Sequence, residues 1–121
     1  MTTSVLIAPP NSLVLISDSQ GGTVPISMAT SRVASTDSCI AIGCQAEMDG
    51  ETEITMGPAS QVDPGVSPAF DGVLETPNHI VVVWTIEWQK LLHAGVPTSR
   101  TRVRVWRNHP REPNEVIIGL G

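Results

Sequence analysis

The stretch SRTRVRVW, residues 99–106, sets Arg100, Arg102 and Arg104 at every second position with Thr101, Val103 and Val105 between them. A period of two is the signature of a β-strand, because successive side chains leave an extended backbone on opposite sides. Thr101, Val103 and Val105 are therefore expected to face a core, with the three arginines and Trp106 on the other side. Neighbouring guanidinium groups rooted about 6.6 Å apart repel by only about 0.6 kcal/mol in water, so the row needs no ligand in order to exist. Three readings of it stay open. It is a solvated face whose arginine stems cover apolar surface, a face paired with acids such as Glu47, Glu51 or Glu53, or an exposed anchor for a protein partner.

The same alternation runs through HIVVVWTIEWQ (79–89), where Ile80, Val82, Trp84, Ile86 and Trp88 share one parity and Val81, Val83, Thr85, Glu87 and Gln89 the other. It predicts one long strand with the first set buried, and a helix across 84–95 stopping at Gly95 is the competing reading. CIAIGCQAEMDGETEITMGP (39–58) reads as a hairpin. A three-residue loop of Met48, Asp49 and Gly50 keeps Ile42 and Cys44 on the face of Ile54 and Met56 and turns Glu47, Glu51 and Glu53 outward. Further strands are expected in NSLVLISD (11–18), TVPISMA (23–29), FDGVLET (70–76) and EVIIGL (115–120). GPASQVDPGVSPA (57–69), with three prolines and no periodicity, is expected to cross between two sheets. About eight short strands at this spacing predict an all-β fold, an antiparallel β-sandwich with a β-barrel as the alternative.

At 121 residues the chain suits one domain, 1–121. With 40% hydrophobic and 16% charged residues it has a globular rather than a disordered balance. Tyrosine is absent and phenylalanine occurs once, so Trp84, Trp88 and Trp106 supply most of the aromatic mass. The formal charge of −5 repels phosphate backbones and anionic lipid, which disfavours nucleic acid and membrane as partners. That charge is uneven. Arg100, Arg102, Arg104, Arg107 and Arg111 hold five of the seven cations, while Glu47, Asp49, Glu51 and Glu53 form an acidic cluster. A dipolar layout of this kind suits a protein partner of complementary pattern, so both groups and Trp106 are the candidate binding residues. The opening MTTSVLIAPPNS has no cationic start and a three-residue apolar run before two prolines, which predicts neither signal peptide nor span and a cytoplasmic protein. Cys39 and Cys44, about 16 Å apart on a strand and facing opposite ways, are expected to be reduced thiols.

No Gly-rich phosphate loop, His-Glu-x-x-His, Cys-x-x-Cys or Gly-x-Ser-x-Gly occurs, so no cofactor and no catalytic set is expected. His79, His93 and His109 fall in or beside turns and read as surface histidines. A metal-dependent hydrolase built from His79 and His109 is the enzymatic alternative, and a homo-oligomer pairing exposed strand edges is another. Asp18, Asp37, Asp63 and Asp71 lie beside Ser, Pro or Gly, where carboxylates bond to turn backbone.

The C-terminal half, FDGVLETPNHIVVVW, LLHAGVPTSRTRVRVW and NEVIIGLG, carries a strand after a "LETP" turn. A Gly/Pro turn then leads into an alternating "RVRV" strand, and an apolar strand closes the series. In this order of features residues 70–121 resemble small bacterial β-sandwich proteins of the competence protein J type and their immunity-protein-like relatives. The resemblance implies a non-enzymatic intracellular partner of a nuclease or toxin, an inhibitor that occupies its target's surface. Electrostatic steering of an acidic inhibitor onto a basic nuclease accords with the charge.

Overall fold

The computed structural model describes residues 2–26 and 32–121. Among these residues the strands are β1 (Thr3–Ile7), β2 (Leu13–Asp18), β3 (Val33–Ser35), β4 (Cys39–Gly43), β5 (Thr52–Pro58), β6 (Phe70–Glu75), β7 (Ile80–Thr85), β8 (Lys90–Gly95), β9 (Arg100–Arg107) and β10 (Glu115–Leu120). A single helical turn, α1 (Ala59–Val62), follows β5. One five-stranded sheet has the order β1-β5-β10-β9-β6 and the other β3-β4-β2-β7-β8. Every strand pairing is antiparallel except β5 with β10, which run in the same direction from Glu53 beside Glu115 to Pro58 beside Leu120. The predicted β-sandwich is the architecture, and neither sheet closes into a barrel.

Period-two burial builds the core. Val14, Ile16, Ile40, Ile42, Val81 and Val83 of one sheet meet Ile54, Met56, Leu74, Val103, Val105, Val116 and Ile118 of the other, all fully buried. Each such side chain contributes roughly 1.5–3 kcal/mol relative to exposure. A second apolar cluster, Leu15, Cys39, Ala41, Val82 and Trp84, occupies the outer side of the second sheet. Strands β2, β4 and β7 are thus buried on both faces, which is why they read as continuous apolar runs. Trp84 anchors this cluster by donating its indole N–H to Ser17 Oγ at 2.8 Å, and the Trp88 ring meets it edge-on at 5.3 Å.

Five sequence expectations are overturned or displaced. Residues 39–58 are not a hairpin: β4 lies between β3 and β2, whereas β5 lies between β1 and β10 in the opposite sheet. A 3₁₀ turn at Glu47–Asp49 and Gly50, at φ 122°, carry the chain from one sheet to the other. Ile42 and Cys44 do share a core with Ile54 and Met56, but across the sandwich rather than beside one another. Residues 57–69 do not cross between sheets either, since β5 and β6 belong to the same one. The segment passes over the outside of β10, with Ala59 against Gly119.

The long strand at 79–89 ends early, at Thr85. Thr85 N–H donates to Gln89 O (2.9 Å), and Thr85 Oγ1 accepts the N–H groups of Glu87 (3.3 Å) and Gln89 (3.2 Å). This tight turn requires a left-handed residue at Trp88, φ 62°, and returns the chain as β8. In β7 the residues facing the main core are Val81 and Val83, the parity assigned to the outside, while Val82 and Trp84 enter the second cluster. No helix forms across 84–95. Of the expected strand 23–29, residues 23–26 are irregular and the rest lie outside the described residues.

Candidate partner-binding surfaces

Strand β9 obeys its alternation. Thr101, Val103 and Val105 are buried, and Arg100 and Arg102 are exposed. Trp106 lies on the outer face but is only 4% exposed, so it does not form the expected open anchor. It is covered by the 57–69 segment, whose Val66 carbonyl accepts its indole N–H at 2.8 Å. Gly119 makes room for the ring, since a Cβ there would stand 2.9 Å from Trp106 and 3.2 Å from Ala59.

Arg102 and Arg104 are matched internally, though not by the acids expected. Arg102 donates Nε–H and Nη2–H to the two oxygens of Asp71 at 2.9 and 2.7 Å. Those hydrogen bonds, with the Arg102 charge, outweigh a small desolvation penalty and hold Asp71 below the usual carboxylate range. Arg104 donates to Gly121 O at 2.9 Å, sits 3.8 Å from Asp63 and lies 5.9 Å from the Trp106 ring centroid. Asp71 stands on strand β6 beside Arg104 and reaches Arg102 diagonally, so it is a cross-strand ion partner rather than a turn residue. Asp63 also accepts Gly65 N–H at 2.7 Å, the turn role expected of it.

The acidic residues gather at the opposite end of the same sheet. Glu47, Asp49, Glu51 and Glu53 are all exposed. Gln45 fixes the loop, its side chain donating to Glu51 O at 3.0 Å and its backbone to Pro113 O at 3.0 Å. The parallel register adds a residue that sequence reasoning missed, since Glu115 lies directly beside Glu53. Among the described residues no ion pair reaches any of these five carboxylates. Next to them a cleft of about 440 Å³ opens between the 57–69 segment and the turn after β9, lined by Val66, Pro68, Trp106, Pro110, Glu115 and Ile117 among others.

The enzymatic alternative loses its constellation. His79 lies in the β6–β7 turn and His109 beyond the far end of β9, so the two stand at opposite ends of the sandwich. His109 Nδ1 accepts the backbone N–H groups of Arg111 (3.1 Å) and Glu112 (3.0 Å). Among the described residues no three His, Cys, Asp or Glu side chains converge as a metal site. Cys39 and Cys44 are free, buried and on opposite faces of their sheet. Burial pushes the Cys39 thiol up to about 11 and Cys44 up to about 12, the latter despite Arg32 nearby. A disulfide-exchange reagent at mildly alkaline pH is therefore expected to label neither thiol in the native protein and both in urea. Rapid native labelling would show that the sandwich opens.

No family model and no curated protein sequence matches the chain. No helix of the described residues is long and apolar enough to cross a membrane. Two solved structures are similar. Crocagin biosynthetic gene J aligns with a TM-score of 0.49 and 12% identity over 98% of this chain and 94% of its own. ComJ from Bacillus subtilis, inhibitor of the DNA degrading activity of NucA, aligns with a TM-score of 0.71 and 9% identity, covering 98% of this chain and 93% of its own. The resemblance read from residues 70–121 thus extends over both sheets, and this chain shares the fold of that inhibitor.

Proposed function

We propose that the chain is a protein-interaction module that inhibits a DNA-degrading enzyme by covering its surface. The observation that carries this reading is the pairing of Glu53 with Glu115 on adjacent strands, flanked by exposed Glu47, Asp49 and Glu51. Like charges side by side in a sheet are destabilising, and among the described residues no ion pair reaches them. A cationic partner surface does so. Enzymes that grip phosphate backbones present such surfaces, and an inhibitor that mimics the backbone's charge competes for the same ground. The apolar cleft beside the acids offers a pocket for an anchoring side chain, the usual centre of interface energy. The shared fold with a nuclease inhibitor and the net charge of −5 support the reading. The reading implies a cytoplasmic protein, and two free thiols accord with that.

The test is inhibition of DNA cleavage. Purified protein is titrated into NucA, other basic DNases and any nuclease that co-purifies with it from its own cell. One of these is expected to lose activity in a saturable manner, with association slowing as salt rises. Glu51→Lys with Glu53→Lys is expected to slow association by about tenfold or more at low salt while leaving the melting temperature at or above that of the parent, since Glu53→Lys removes the repulsion with Glu115. Unimpaired cleavage across the whole set sinks the reading, and salt-independent inhibition removes the acidic end from it.

A further inference from the structure

At the end of the sandwich away from the acidic residues, where β5 and β10 finish and β9 begins, both sheets border a second cleft of about 590 Å³. That volume lies within the roughly 300–1,000 Å³ of small-molecule sites. Its walls include Pro58, Ala94, Val96 and Leu120, and the last three pack directly against the main core. A hydrocarbon chain seated there extends the core outward. His93, Arg100 and Arg102 line the same cleft, and among its described lining residues none carries a carboxylate side chain. Arg102 is held by Asp71, whereas Arg100, with Glu75 as its cross-strand neighbour, is exposed and among the described residues makes no ion pair. An apolar floor with an exposed guanidinium beside it matches a ligand of one kind.

We infer that this cleft binds a small amphipathic monoanion, an aliphatic carboxylate whose chain lies on Ala94, Val96 and Leu120 and whose head meets Arg100. The head stays in reach of water, so no isolated charge is buried. Each further methylene that leaves water tightens binding about fourfold until the floor is filled. The site is separate from the acidic end, roughly 16 Å away along β5 from Glu53 to Pro58.

The probe is decanoate, titrated into the full chain and followed by backbone amide chemical shifts and by displacement of 8-anilinonaphthalene-1-sulfonate. Saturation below about 1 mM is expected, with shifts concentrated in residues 93–102 and 120–121. Octanoate is expected to bind more weakly by about fifteenfold, in keeping with two fewer methylenes. Decanol, which lacks the charge, and the exposed-site variant Arg100→Glu are each expected to weaken binding by about tenfold or more, with a small fall in the variant's melting temperature because Glu75 faces position 100. Val96→Asp places a charge on the floor and is expected to abolish binding. If it fails to fold, Arg100→Glu still decides. Shifts outside the cleft, equal binding of decanol and decanoate, unaltered binding by Arg100→Glu, or no saturation would each overturn the inference.

Discussion

Trp106→Ala is expected to lower stability by about 3–5 kcal/mol, the range for deleting a buried large aromatic side chain. The ring lies under the 57–69 segment and over Gly119 on the central strand β10, so its removal leaves a void on a face that the alternation of β9 marks as outside. Trp106→Phe keeps most of the volume and loses the indole bond to Val66 O, with an expected cost near 1 kcal/mol. Urea unfolding monitored by far-ultraviolet circular dichroism separates the two variants. A parental midpoint for Trp106→Ala would show that the ring is not buried, and would return it to the role of an open anchor.

Asp18→Ala is expected to cost about 2–4 kcal/mol. Asp18 is 2% exposed at the end of β2. Its carboxylate accepts Gln20 N–H at 3.1 Å, Asn78 N–H at 2.9 Å and the Asn78 side-chain amide at 2.7 Å. It thereby joins the end of β2 to the β6–β7 turn. Burial alone would raise the pKa, but the bonds from Asn78, Gln20 and Ile80 more than offset it and leave the carboxyl below its ordinary 3.8. Because the unfolded chain takes up this proton at higher pH than the folded one, the contribution is complete above pH 3.8 and is lost as pH falls through the lower folded value. The stability gap between Asp18→Asn and the parent is therefore expected to hold steady near neutrality and to narrow in acid. A gap that widens in acid would mean the native carboxyl is protonated first.

Alternation in the sequence identified which side chains are buried far better than it identified which strands are neighbours. Val103, Val105, Ile54 and Met56 declare themselves by parity alone, because a one-residue slip would expose the whole set. Pairing across 39–58 was not legible, since the same Asp49-Gly50 signal serves a hairpin loop and a passage between sheets. At Val81–Trp84 the code fails for a different reason. A strand covered on both sides has no wet face to mark which way is in. The turn at 85–89 was hidden because it uses Trp88 at a left-handed position where glycine or asparagine is usual.

The surface was partly legible. The acidic residues were visible as a cluster, but Glu115 joins them only through a register between strands about sixty residues apart, which no local pattern encodes. Asp71 was misread because its neighbour Gly72 resembles a turn signal, whereas that glycine accommodates the Phe70 ring, which a Cβ would meet at 2.7 Å. The internal pairing of Arg102 and Arg104 depends on residues from β6 and the 57–69 segment arriving beside β9. The cleft of about 590 Å³ at the other end is formed by five separate stretches of chain and left no trace in any one of them.

Strand β10 sits in the middle of its sheet between β5 and β9, parallel to the first and antiparallel to the second. During synthesis the ribosome must release residues 115–120 before that sheet has a middle. Until then Ile54, Met56, Val103 and Val105 belong to two half-sheets with open edges, the condition in which nascent β proteins are most prone to stick to one another. Slower docking of this one short segment is therefore expected to raise inclusion-body formation during overexpression.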